Sequence, residues 1–181
     1  MVYILLANGF EETEAVAPCD LLRRAGVETA LVGVTGPTVT GSHGIAVNAD
    51  LTLGQMDLTR MDMIVLPGGL TGVSNLTASR EAMDAVRFAY DNGKWVAAIC
   101  AAPTILAELG ITDGRQAVCY PGPALVAKMD KASLADLPAV RDGKVITGAS
   151  AGCAIPFGLK LVEALKGAEA AEAVRNAIVI R

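Results

Sequence analysis

The segment Val96-Ala97-Ala98-Ile99-Cys100-Ala101-Ala102-Pro103 has the residue types and spacing for nucleophilic chemistry. An apolar run ends at Ile99, and Pro103 suits the first turn of a helix because its fixed φ is already helical. One cysteine stands on the turn between strand and helix, and small residues around it let the chain fold tightly. This is the geometry of a nucleophile elbow. N–H groups and the dipole at a helix start favour a thiolate, the nucleophilic form of cysteine. The bland alternative is a small, buried, inert cysteine, and spacing alone does not decide between the two.

The surrounding pattern supplies a frame for such a turn. Val2–Leu6, Thr29–Gly33, Met63–Leu66, Trp95–Ile99 and Gln116–Cys119 read as short buried strands. Glu11–Ala25 carries helical periodicity, and so does Glu81–Asn92, with Ala82, Ala85, Val86 and Ala89 on one face. A helix from Pro103 runs through Leu109. Pro156–Leu165 and Ala168–Asn176 read as further helices. Thr38–Val47 reads as a hairpin around Gly41-Ser42-His43-Gly44. Ala139–Arg141 and Lys144–Thr147 flank the turn pair Asp142-Gly143. The β-α-β alternation predicts an α/β three-layer sandwich, a mostly parallel sheet with helices on both faces. In such sheets ligands bind beyond the carboxyl ends of the strands. That rule selects Gly9–Glu14, Pro67–Gly69 and Cys100–Pro103.

Composition narrows the function classes. The 181 residues fit one domain, 1–181, and hydrophobic residues make up 52%. No uninterrupted apolar run approaches the ~18 residues of a membrane helix. The net charge is −4 and no Lys/Arg cluster stands out, which argues against nucleic-acid and anionic-membrane partners. The N-terminal residues lack a basic stretch followed by a long apolar one, so no signal peptide is read. Four cysteines without paired spacing make neither a disulfide framework nor a metal site, and a single histidine adds no zinc ligand set. A reducing cytoplasmic setting follows as the default.

Several pieces together resemble the ThiJ/PfpI superfamily, in the branch of the parkinsonism-associated protein deglycase. They are Gly9-Phe10-Glu11-Glu12-Thr13-Glu14, Leu22-Arg23-Arg24-Ala25-Gly26, Val65-Leu66-Pro67-Gly68-Gly69, Ala98-Ile99-Cys100-Ala101-Ala102-Pro103 and Leu161-Val162-Glu163-Ala164-Leu165. Their order and spacing match over nearly the whole chain. The resemblance implies a flavodoxin-like sheet, related to class I glutamine amidotransferases, and a homodimer. It implies that Cys100 is the nucleophile and that Glu14 hydrogen-bonds its sulfur. Such a bond helps a thiolate only when the carboxyl is protonated. Glu11 and Glu12 read simply as acids complementing a helix dipole. Backbone N–H groups at Gly68, Gly69 and Ala101 are implied as an oxyanion hole. The implied activities are glyoxalase- or deglycase-type attack on 2-oxoaldehydes or their adducts, with no metal or organic cofactor.

Two departures matter. Where the family places a histidine beside the cysteine, this chain has Tyr120, in Val118-Cys119-Tyr120-Pro121. A phenol is a poor general base at neutral pH, which disfavours peptidase chemistry by a Cys-His pair. The family's late Ser-Arg is also absent; Gly148-Ala149-Ser150 stands there. His43 reads alone as a solvated turn residue, but the resemblance allows it to reach the partner's cysteine pocket in a dimer. Cys19, Cys119 and Cys153 read as packing residues, with Cys119 placed to act as a resolving thiol. Oxidation sensing or chaperone-like action through Cys100 is the competing function, because it needs no base.

Overall fold

The computed structural model describes residues 1–180. β1 (Val2–Leu6) is buried along its whole length, as an unbroken apolar run requires of a strand covered on both faces. It is followed by α1 (Glu12–Arg24), β2 (Thr29–Gly33), a hairpin of β3 (Thr38–Thr40) and β4 (Ala46–Asn48), and the short β5 (Leu51–Thr52). Then come β6 (Met63–Leu66), α2 (Leu70–Ala78), α3 (Arg80–Asp91), β7 (Trp95–Ile99) and α4 (Pro103–Glu108). Beyond them lie β8 (Gln116–Ala117), α5 (Pro123–Val126) and β9 (Ser133–Leu134). The chain ends with β10 (Ala139–Asp142), β11 (Val145–Gly148), α6 (Ala154–Lys166) and α7 (Ala168–Ala177).

Seven strands make one sheet in the order β10-β11-β7-β6-β1-β2-β5. All its pairings are parallel except β10 with β11, the hairpin turned at Asp142-Gly143. Side chains alternate across the sheet with the two-residue period of a strand. Val2, Ile4 and Leu6 of β1 pack toward α1 and α6, beside Leu22 and Phe157. Tyr3 and Leu5 pack the other way, toward α3 and α4, beside Val86 and Leu106. Each fully buried Leu or Ile contributes roughly 1.5–3 kcal/mol, so the two apolar layers hold the sheet at fixed height between its helices. At the start of β7 the Arg141 guanidinium lies 4.8 Å from the Trp95 ring centroid.

The fold class is the three-layer α/β sandwich expected. Ala82, Ala85, Val86 and Ala89 form the buried face of α3. Several elements differ from expectation, among them β5, α5 and β9, which the sequence reading did not include. The strand expected over Gln116–Cys119 stops at Ala117, and pairs with β9 in a separate small sheet. Past it, the Val118 N–H donates to Thr147 Oγ1 at 2.9 Å and the Tyr120 N–H to the Cys100 carbonyl at 2.8 Å. These side-chain and turn bonds replace a ladder. Helix α2 has no counterpart in the sequence reading. It buries only Gly72 and Leu76, so it carries no apolar stripe to read.

Candidate functional site

Cys100 sits where β7 ends, with φ at +66°. A non-glycine residue held there stores on the order of 1 kcal/mol or more of strain, and such positions gather at functional sites. The surroundings fix it from both sides. Its N–H donates to the Gly148 carbonyl at 2.9 Å, and its carbonyl accepts from Tyr120. The Gly69 and Ala101 N–H groups face the sulfur.

Glu14, in the first turn of α1, is completely buried. Its Oε2 accepts the Gly68 N–H at 2.7 Å. Its Oε1 has no hydrogen-bond partner, and the Cys100 thiol neighbours the carboxyl. Gly68 joins the two: a Cβ there would lie 2.6 Å from Glu14 Oε2 and 2.7 Å from Cys100 Cβ. Gly69, at φ +84°, would press a Cβ to 2.3 Å from the Gly9 carbonyl oxygen. The Pro67-Gly68-Gly69 turn is thus glycine because two other segments close on it.

Burial pushes the Glu14 carboxyl up to about 7, against the Gly68 and Cys100 hydrogen bonds and helped by the Glu11 charge. Burial likewise pushes the Cys100 thiol up to about 12, reinforced by the charge of Glu14 and the bond to it. The Ala101 and Gly69 N–H groups pull the other way. A freely ionised thiol, expected from the helix start, is therefore not what the surroundings favour. Helix α4 has only six residues, and an ionised carboxylate beside the sulfur outweighs it. Between the two values the pair holds a single proton.

A pocket of about 430 Å³ opens over the sulfur, with Glu11, Leu70, Tyr120, Pro123 and Leu125 in its walls. Tyr120 is half-exposed there. His43 lies on the far side of Glu11: its Nδ1 is 3.0 Å from Glu12 Oε2 and 3.5 Å from Glu11 Oε2. Its N–H donates to Glu12 Oε1 at 2.8 Å. Burial of Glu12 is outweighed by these bonds and by its own and Ile45's N–H groups, which bring its carboxyl down to about 2. The hydrogen bond to Glu12, then the nearby acid charges, push the exposed His43 imidazole up. The loop around His43 is therefore anchored within its own chain. Cys119 is buried beside Ala117 and Met129, with its thiol raised by burial, and does not line the pocket.

Sequence reasoning missed the apolar wall. Leu70 follows Gly69 directly, and Pro123 after Gly122 carries a helix-start signal, but nothing local shows that they meet. A wider cleft of about 700 Å³ lies at the opposite edge of the sheet, among Met1, Trp95 and Lys144, remote from Cys100.

The architecture places the chain among the parallel α/β sandwiches with a cysteine at a strand-to-helix turn. Residues 1–164 match the DJ-1/PfpI family profile, and the chain belongs to that family. It is 36% identical to Protein dj-1beta of Drosophila melanogaster over 98% of this chain and 95% of that one. The crystal structure of Drosophila melanogaster DJ-1beta superposes with a TM-score of 0.92, at 34% identity and covering 99% and 97% of the two chains. A Toxoplasma gondii DJ-1 structure, described as oxidized, gives 0.90 at 31% identity, over 98% and 97%. The Deglycase PH1704 of Pyrococcus horikoshii is 36% identical over 67% of this chain and 72% of its own. Among the described residues, no helix is long and apolar enough to cross a membrane.

Proposed function

We propose that this DJ-1-type protein is a cysteine-dependent, cofactor-independent stress-response enzyme, acting as a cytoplasmic homodimer on reactive carbonyls in the glyoxalase or deglycase manner. The observation that carries this reading is Cys100, held at positive φ beside the buried Glu14 carboxyl and two backbone N–H groups, under an open pocket. The sulfur attacks the aldehyde carbon of a 2-oxoaldehyde, forming the C–S bond. The carbonyl electron pair moves to oxygen, against the Gly69 and Ala101 N–H groups, and the thiol proton stays on Glu14. A carboxyl with a pKa near operating pH suits this exchange. Glu14 then protonates the oxyanion, takes the proton from the former aldehyde carbon and returns one to the neighbouring carbon. The resulting thioester is cleaved by water, releasing a 2-hydroxy acid and the free thiol. Tyr120 borders the pocket as a hydroxyl, so no step uses a histidine base.

Methylglyoxal consumption is the test. Turnover that disappears in Cys100→Ser supports the reading, while turnover surviving that substitution removes it. His43 enters in trans only if His43→Ala changes the pH profile of Cys100 reactivity.

A second reading rests on the buried Glu14 carboxyl, whose Oε1 has no hydrogen-bond partner and can donate to an oxidised sulfur once protonated. Peroxide would oxidise Cys100 to sulfenic and then sulfinic acid, each step transferring one oxygen atom and releasing water. The oxidized Toxoplasma relative suits this alternative. Sulfinic acid at Cys100 together with no carbonyl turnover would favour it.

A further inference from the structure

The strain at Cys100 needs a holder. A positive φ on a residue with a side chain persists only where the surroundings over-determine it, and Cys100 is held through both of its backbone groups. Its N–H donates to the Gly148 carbonyl at 2.9 Å, and its carbonyl accepts the Tyr120 N–H at 2.8 Å. Those two partners belong to segments that are themselves joined. Thr147, the residue before Gly148, takes the Val118 N–H on its Oγ1 at 2.9 Å, and Val118 stands two residues before Tyr120. Three hydrogen bonds thus close a ring. It runs from Cys100 to Gly148-Thr147, across to Val118-Cys119-Tyr120, and back to Cys100.

Two links of the ring join backbone to backbone, and the third hangs on one hydroxyl. The two sides differ in support. Gly148 is set by β11, where it pairs with Ile99 of β7, and a Cβ on it would lie 2.9 Å from the Ile99 and Phe157 side chains. Residues 118–120 have no ladder to hold them, because β8 ends at Ala117. Thr147 is 1% exposed and Val118 2%. Water therefore does not stand in for the hydroxyl, and a buried N–H left without an acceptor is costly. Thr147, Gly148 and Val118 do not line the pocket, so a second subunit seated over its mouth leaves the ring unchanged.

Building on the reading of Cys100 above as the reacting group, we propose that Thr147 is a positioning residue for it. The Thr147 hydroxyl holds residues 118–120 so that the Tyr120 N–H keeps the Cys100 carbonyl, and with it the positive φ. That φ places the sulfur beside Glu14 and before the Gly69 and Ala101 N–H groups. Without the hydroxyl the 118–120 segment slackens, Cys100 relaxes to an ordinary backbone conformation, and the sulfur leaves those partners. Thr147 itself takes no part in the proton transfers.

The experiment compares wild type with Thr147→Val, which keeps the branched shape and loses the hydroxyl, and with Thr147→Ser, which keeps the hydroxyl. Val86→Ala, in the apolar layer under α3, is the control for lost stability alone. Methylglyoxal turnover, site-resolved alkylation of Cys100 against pH and amide exchange at Tyr120 are read where every variant is folded. In Thr147→Val kcat is expected to fall about tenfold or more with KM changed by less than about twofold, as a small misplacement of a reacting group does. The alkylation rise moves to lower pH, because a sulfur freed from burial and from the Glu14 charge loses what raises it. The titrating groups around the sulfur, Glu11 and Glu14 on α1 and Tyr120 in the pocket wall, are present in every variant. Tyr120 exchange accelerates about tenfold or more, as for an amide whose local opening has become easier. Thr147→Ser restores most of the turnover, and Val86→Ala lowers the melting temperature without these changes. Should Thr147→Val not fold, Thr147→Ala removes the same hydroxyl and carries the comparison. Readouts unmoved by loss of the hydroxyl, a serine variant as slow as the valine one, or equal slowing in Val86→Ala overturn this inference and leave the carbonyl reading standing. If wild type consumes no methylglyoxal the carbonyl reading falls, and the alkylation profile with Tyr120 exchange still decides the role of Thr147.

Discussion

Chemistry at Cys100 depends on where one proton sits. Above about 7 the Cys100–Glu14 pair holds a single proton; below it both groups are protonated and the sulfur has no acceptor. Because the Glu14 charge and its bond raise the thiol, site-resolved alkylation of Cys100 is expected to rise with pH, and Glu14→Gln should move that rise to lower pH. A profile identical in wild type and variant would show that the two groups do not share the proton. Gly68→Ala tests the same contact sterically, since its methyl would meet both Glu14 and Cys100. Overpacking of this kind costs about 1–3 kcal/mol, and a fall in melting temperature together with slower alkylation is expected. The cysteine and its turn were legible in the sequence, because small residues and Pro103 announce them. The raised thiol was not, since burial and a carboxylate from another helix set it, and neither leaves a local signature.

At the level of elements, legibility followed periodicity. Strands β1, β6 and β7 are covered on both faces, so each is an apolar run; α3 shows its alanine face. Helix α2 and the wall from Pro123–Leu125 have no such pattern. They are held by backbone bonds and by what they lean on. The β3–β4 hairpin illustrates a different support. Its loop is fastened to α1 by Glu12, which takes the N–H groups of His43 and Ile45 as well as the His43 ring. Because the Glu12 carboxyl is depressed in the folded chain, this contribution is present above about 4.5 and lost as pH falls toward 2. Amide exchange at residues 41–45 should accelerate in Glu12→Gln at neutral pH, with the sheet amides unaffected. Equal protection in both proteins would remove Glu12 as the fastening.

For the molecule as a whole, Glu14 acts with the opposite sign. Its folded pKa is raised, so its stabilising contribution is complete below about 4.5 and is lost as pH rises through about 7. The shift from 4.5 to about 7 corresponds to about 3 kcal/mol at 1.36 kcal/mol per pKa unit. Wild type should thus lose melting temperature between pH 5 and pH 8, and Glu14→Gln should lose less; parallel curves would contradict this. Phe157, buried where α6 meets the sheet, sets the scale of the core: Phe157→Ala is expected to cost about 3–5 kcal/mol by denaturant unfolding. The chain also carries its own optical reporter. Trp95 is its one tryptophan and opens the strand that Cys100 terminates, about 16 Å away at the ~3.3 Å rise of each strand residue. Its emission, tuned by the overlying Arg141, therefore follows melting of the sheet from the end remote from the pocket. Unfolding curves of native, alkylated and oxidised protein can be read on one unlabelled signal that the chemistry itself does not quench.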